Sequence, residues 1–234
     1  EILQKAAAHH LHIQFHGAYK PTGLSRTYPN ELTREGTLNY EADKWDEKGV
    51  SPDHDINMPF TRMLAGSTDY HLGGFRAVPK ELFKVQFIKP LVLGTRCHML
   101  AMYVVLENEL PLVCDYPAAY EGEPGFEFIP QVPATWDETK VLDAKVGEYI
   151  IIARRRKDDW YVGAITNHDQ RQLSVPLTFL REGKYRLDLY TDAPDAKERP
   201  NLLVKEVKEV TKDASISLKI AGGGGAAMSL KKSR

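Results

Sequence analysis

Cysteine is nearly absent from this chain: two residues in 234, Cys97 and Cys114. A chain of this length buries a core without cross-links. The neighbourhoods TRCHML and LVCDYP read as a helix and a buried strand, so the pair reads as buried free thiols rather than a disulfide, and neither fixes a compartment. No apolar run reaches the roughly 18 residues of a membrane-spanning helix. An excess of one charge is missing too: 31 basic residues stand against 32 acidic ones, for a formal net charge of -1. With no basic tail or stripe, neither nucleic acid nor a membrane is an expected partner. The chain does not begin with Met, and EILQKAAAHH is neither a signal nor a transit peptide. It reads as the end of an amphipathic helix with Ile2, Leu3 and the alanines on one side, as expected of a piece of something longer.

What is present has the composition of a globular protein, 42% hydrophobic and 27% charged, in one large or two medium domains. LHIQF (11–15), closed by Gly17, reads as a buried strand of the parallel kind. INMPFTRML (56–64) follows a polar loop and is taken as a further strand. GTRCHMLAMYVVLEN (94–108) has helical spacing that places Met99, Met102, Tyr103 and Leu106 on one face. LPLVCDYP (110–117) is another apolar run. This rhythm suggests an α/β layer or a β/α barrel. Near Trp136 it changes. EYIIIARRRKDDWYVGAIT reads as two strands, 148–155 and 160–166, about a polar KDD turn. VPLTFL, YRLDLY, LLVKEV and SISLKI read as further strands. An antiparallel sandwich with one wet face per sheet is expected, with a boundary within 132–145. The GGGG run at 222–225 lacks the Lys and hydroxyl of a phosphate loop, so it reads as a flexible structural turn before a last strand, AAMSLKK.

The densest chemistry lies in FHGAYKPTGLSRTYPNELTREGTLNYE (15–41). In a β/α barrel the loop after a strand carries the chemistry. His16 ends the strand, and Gly17 permits a positive φ. Lys20, Arg26 and Arg34 are cations; Glu31, Glu35 and Glu41 are acids. Glu35 and Glu41, six residues apart, would point about 240° apart on a straight helix. They converge only if the segment is irregular, as Gly36 allows. Converging carboxylates either bind a hard cation such as Ca²⁺ or supply a general acid.

FHGAYKPTGLSRTYPN with REGTLNYEADKW, PFTRMLAGSTDY, PGFEFIPQVPATWDETKVL and GEYIIIARRRKDDWYVGAITN together resemble glycoside hydrolase family 97. The resemblance runs from Gln14 to about Thr166; the later strands fit in pattern only. It implies the C-terminal part of a (β/α)8 TIM barrel over 1–135, followed by an antiparallel β-sandwich over 136–234. The family's inverting α-glucosidases carry a Glu, as general base and calcium ligand, directly after the strand-end His. Here that position is Gly17, which cannot accept a proton. The resemblance therefore implies the retaining, α-galactosidase-like branch, with exo-hydrolysis of terminal galacto-configured sugars. By it, Glu41 is the acid/base, Glu35 a calcium ligand with Glu41 near or on the same ion, and His16 a sugar-hydroxyl contact. The nucleophile, an Asp, would lie upstream of Glu1 together with the rest of the barrel. This chain alone is thus expected to be inactive without that missing N-terminal half. A periplasmic or secreted location is implied by the resemblance alone. A non-catalytic carbohydrate-binding fragment and an inverting α-glucosidase are the alternatives.

Other residues are read more plainly. Lys20 and Arg26 bind substrate hydroxyls or orient the carboxylates, with an ion pair equally open for Arg26. Tyr19 and Trp45 are assigned to core packing before sugar stacking. His54 and Asp55 are assigned to structural hydrogen bonding before a metal pair, since no third ligand has suitable spacing, with Asp55 kept as a minor site candidate by the resemblance; His98 is assigned to packing. Thr61, Arg62 and Asp69 are unassigned, Asp115 is a minor candidate for the site, and ARRRK (153–157) is a solvated hairpin end.

Overall fold

Strand direction changes along the chain in the computed structural model, which describes residues 1–233. The first elements are α1 (Ile2–Ala8), β1 (Ile13–Phe15), β2 (Glu31–Arg34), α2 (Pro52–Asn57), β3 (His71–Leu72), α3 (Arg96–Val105) and β4 (Leu112–Val113). β1 pairs with β2 and β3 with β4, both in parallel. A single Arg34–Thr68 bridge, also parallel, links the two pairs. No closed barrel forms from these strands. β1 is half-buried and the two residues of β4 are exposed, so the buried strands expected at 11–15 and around Cys114 are shorter and wetter. Both cysteines are free.

The strand expected at 56–64 is instead the end of α2 followed by a 3-10 turn at Arg62–Ala65. The Ser51 side chain accepts the His54 N–H at 3.2 Å, and Pro52 occupies the first turn. Ser then Pro is a helix-start signal that outweighs the apolar run after it.

After Trp136 every pairing is antiparallel. The strands are β5 (Glu138–Lys145), β6 (Tyr149–Arg156), β7 (Asp159–Thr166), β8 (Arg171–Pro176), β9 (Tyr185–Asp192), β10 (Leu203–Val210), β11 (Ser215–Ile220) and β12 (Gly225–Lys232). They form a six-stranded sheet in the order β10-β9-β12-β7-β6-β5 and a two-stranded sheet, β11-β8. Apolar residues of both, among them Val162, Leu187, Leu218 and Met228, pack as one cluster, as in a sandwich.

The larger sheet's outer face is wet at Arg156, Arg186 and Lys231 but covered at its centre. α3 packs across β7 and β12, and all ten of its residues are buried. The expected one-sided stripe is therefore a helix buried all round, with two partners. Met99 and Met102 join a cluster with Tyr40, Ile56, Tyr70 and Ile165, while Cys97, Leu100 and Val104 join one with Phe128, Tyr161 and Tyr190. The approach is close enough that a Cβ at Gly163 would lie 2.6 Å from the Ala101 carbonyl oxygen. Arg154, read from sequence as solvated, is buried and donates to the Val105 carbonyl at 3.2 Å.

The GGGG run is a locked turn. Thr95, which caps α3, donates its hydroxyl to Asp192 Oδ1 at 2.6 Å. Asp192 Oδ2 accepts the Ala221 and Gly225 N–H groups at 3.0 and 3.1 Å. The Thr95 N–H reaches the Gly223 carbonyl at 3.0 Å. A Cβ on Gly225 would stand 2.8 Å from His98 Cα and 2.9 Å from the Ala164 carbonyl oxygen. His98 then bridges onward, with Nδ1 3.2 Å from the Gly224 carbonyl and Nε2 3.1 Å from Asp55 Oδ2. Asp55, fully buried, also accepts the Tyr40 and Tyr70 hydroxyls at 2.5 and 2.7 Å. This seam holds the segment bearing the polar loops against the sheet.

Candidate active site

β1 delivers Gln14 and His16 to one face at its C-terminal end, two residues apart as the strand period requires. Gly17 follows with φ +63° and Gly36 with φ +50°. Gly36 is sterically required: a Cβ there would lie 2.7 Å from Lys20 Cα and 2.8 Å from the Tyr19 carbonyl carbon. Its N–H donates to the Ala18 carbonyl at 2.6 Å, which seats the loop after β2 on the loop after β1. The two carboxylates then meet His16. Glu35 Oε2 accepts the Gly17 N–H at 2.6 Å, and Glu35 Oε1 accepts Asn39 Nδ2 at 2.7 Å. Asn39 also caps the 3-10 turn Tyr40–Lys44 by accepting the Glu41 N–H at 2.8 Å. Glu41 Oε2 lies 2.9 Å from His16 Nε2.

His16 is the hub. Nδ1 is 2.8 Å from Asp69 Oδ2 and 3.6 Å from Glu35 Oε1. Asp69 Oδ1 accepts from Gln14 Nε2. The His71 ring stacks on His16, with centroids 5.3 Å apart and planes 11° apart. The hydrogen bond to Asp69 raises the His16 pKa above the usual histidine value; burial opposes this, and the Glu35, Asp69 and Glu41 charges reinforce it. The His16 side chain is 46% exposed, whereas that of Asp69 is 1% exposed.

Gln14, Asn39 and His71 were not singled out from the sequence, and Asp69 was named there without a role. Two signals for them were present: the i, i+2 spacing of Asp69 and His71 in TDYH, and an Asn two residues before Glu41, an N-cap type. Arg62, also unassigned, donates to the carbonyls of Arg34, Glu35 and Gly66 at 2.7, 3.1 and 2.9 Å, holding the backbone beneath the acids. No hydrogen bond or ion pair among the described residues joins Lys20 or Arg26 to the cluster. Arg26 lines a separate groove of about 670 Å³ with Pro21, Gly23, Glu31, Thr33 and Leu64. Asp115 is taken by an ion pair with Arg76. Asp55 is spent in the seam. Tyr19 and Trp45 are not core residues: they are 65% and 57% exposed, with Tyr19 lying over the Arg34 guanidinium at 5.4 Å.

The donor atoms of His16, Glu35 and Glu41 lie within 4.8 Å of one another. Glu41 Oε1 has no partner among the described residues, so the cluster carries an uncommitted carboxyl oxygen at an accessible place. That arrangement suits proton transfer or a cation.

Comparison with known proteins places the chain in a family. The profile "Glycosyl-hydrolase 97 C-terminal, oligomerisation" matches residues 135–231, and "Glycoside hydrolase 97" matches residues 1–37. A retaining alpha-galactosidase of Bacteroides thetaiotaomicron is 38% identical over 97% of this chain and 35% of its own length. A probable retaining alpha-galactosidase of Streptomyces bingchenggensis is 31% identical over 96% of this chain and 32% of its own. A glycoside hydrolase family 97 enzyme from Pseudoalteromonas sp. strain K8, solved in complex with acarbose, superposes with a TM-score of 0.90 at 34% identity, over 99% of this chain and 36% of that one. The relatives are thus glycoside-cleaving enzymes, and the chain spans about a third of the length of the curated ones. The chain belongs to glycoside hydrolase family 97.

Proposed function

We propose that the polypeptide containing this chain is a retaining exo-glycosidase that cleaves terminal α-galacto-configured sugars, with Glu41 as acid/base. The observation that carries this reading is the convergence of Glu41 on His16 beside a Gly17 that offers no carboxyl. Two curated relatives described as retaining alpha-galactosidases support the sugar and the stereochemistry. Residues 1–135 would be the closing part of the catalytic barrel and 136–234 the sandwich.

In a retaining mechanism two carboxyls about 5 Å apart flank the bond. A nucleophilic Asp from the preceding part of the polypeptide attacks the anomeric carbon while Glu41 gives its proton to the leaving oxygen. Glu41 then takes a proton from the water that releases the sugar. Its free Oε1 is the oxygen for that exchange, because Oε2 is engaged by His16. His16, part-exposed, would meet a sugar hydroxyl through Nε2, shared with Glu41 Oε2. Lys20 and Arg26 reach substrate groups farther from the bond. The 234-residue chain by itself is expected to be inactive.

The donor chemistry fits Ca²⁺ in part. Glu35 and Glu41 supply the oxygen donors a hard cation prefers; the His16 nitrogen is not such a donor, and further oxygens would come from water and the preceding part of the polypeptide. Bound there, the ion would supply positive charge that steadies the carboxylates and a sugar hydroxyl.

Glu41→Gln in the full-length enzyme tests the assignment. Turnover of glycosides with unactivated leaving groups should fall on the order of 10²- to 10⁴-fold, with thermal unfolding unchanged. Turnover like that of the parent enzyme would overturn it.

A further inference from the structure

Asp69 has no part in the chemistry above, yet it is the most thoroughly buried acid touching that cluster. Its position is fixed by backbone as well as side chain. Its N–H donates to the Arg34 carbonyl at 2.9 Å, directly after the Arg34–Thr68 bridge. One oxygen accepts from Gln14. The other lies 2.8 Å from His16 Nδ1.

We propose that Asp69 is a positioning residue for the acid/base: it fixes the His16 ring so that Nε2 holds Glu41 Oε2 and leaves Oε1 to face the leaving oxygen. This rests on the reading of Glu41 given above. Three contacts immobilise the ring: Asp69 at Nδ1, Glu41 at Nε2 and the parallel His71 ring on one face. Asp69 can only accept when ionised, so Nδ1 carries a hydrogen; Nε2 carries one as well when it donates to Glu41 Oε2 and Oε1 holds the acid proton, and the ring orientation is set. A carboxylate behind a histidine sets tautomer and orientation in this way without touching the reacting atoms. Glu41 sits on a single 3-10 turn, and beyond its Asn39 cap His16 is the sole side chain among the described residues that restrains its carboxyl. The Glu35 carboxyl, by contrast, is already held by the Gly17 N–H and Asn39.

Asp69→Asn is the direct test, made in the full-length enzyme. Gln14 Nε2 keeps the amide oxygen, so the amide N–H₂ faces Nδ1, which must then accept; the ring is then neutral, and its hold on Glu41 Oε2 loses its charge assistance. Glycosides with poor leaving groups need acid assistance; dinitrophenyl glycosides or glycosyl fluorides do not. The expected result is a loss in kcat/KM of about tenfold or more for poor leaving groups, a fraction of the general-acid contribution, with little loss in kcat/KM for good ones. Calcium affinity by calorimetry and the thermal midpoint should stay at parent values. With His16→Ala as background, adding Asp69→Asn should cost nothing further, because the two act as one unit. If Asp69→Asn fails to fold, His16→Ala, at a part-exposed position, must show the same leaving-group split on top of the loss that its sugar contact adds equally to both classes. Equal loss on both substrate classes, a loss that tracks calcium affinity, or additive losses in the double variant would overturn the proposal. Glu41→Gln is the control: if it shows no leaving-group split, the acid/base reading fails first and this inference falls with it.

Discussion

Two clusters in this molecule are built from the same parts, and they do opposite things. In the seam, His98 lies between Asp55 and the Gly224 carbonyl, and Asp192 ties the cap of α3 to the glycine turn. In the loops, His16 lies between Asp69 and Glu41. The seam is buried, and the oxygens of Asp55 and Asp192 are all engaged. The loop cluster is part-exposed and leaves Glu41 Oε1 without a partner among the described residues. A carboxylate–histidine pair is therefore not itself a sign of chemistry. Saturation with burial marks structure, because an unmatched buried group costs about 1–3 kcal/mol. Spare capacity at an accessible place marks a site.

The contrast can be broken at either end. The largest effect expected is Glu41→Gln, which should remove most turnover and leave stability alone. Its mirror is Gly225→Ala, where the new Cβ meets backbone atoms of α3 and β7. Denaturant unfolding should show a loss of about 3 kcal/mol, with leaving-group selectivity retained in whatever folds. Asp55→Asn should cost about 1–3 kcal/mol by upsetting three donors at once.

A smaller effect concerns pH. Burial raises the Asp192 pKa to about 6 against the opposing hydrogen bonds from Thr95, Ala221 and Gly225. The folded state therefore holds a proton between its pKa and the ordinary value of 3.8, where the unfolded chain has lost it. Stability from this group falls as pH rises through that window and is lowest above it. Asp192→Asn should remove that downward slope from unfolding free energies measured between the two values. The smallest effect is Arg26→Ala: stability within about 0.5 kcal/mol, with KM raised and kcat unchanged.

The same contrast explains what could be read from sequence. The β6–β7 hairpin and the alternating β9 and β11 were legible because period-2 patterning is local. β8 was not: it ends at Pro176, so VPLTFL mostly follows the strand rather than forming it. α2 was hidden because an apolar run outweighed a Ser-Pro start. α3 was found, but not its second buried face, because only the six-stranded sheet behind it reveals that side. Glu35, Glu41 and His16 stood out by type and spacing, and Gly36 signalled the irregular backbone that brings them together. Asp69 lies 53 residues from His16, and nothing in the local pattern pairs them. Trp45 was misjudged because large aromatics usually pack inside.

The central claim is that Glu41 serves a retaining reaction. Proton NMR of p-nitrophenyl α-galactoside hydrolysis by the full-length enzyme, with calcium present, tests it directly. α-Galactose appearing first and then mutarotating is the expected result. β-Galactose appearing first would mean inversion by a base other than those assigned here, and would contradict the account.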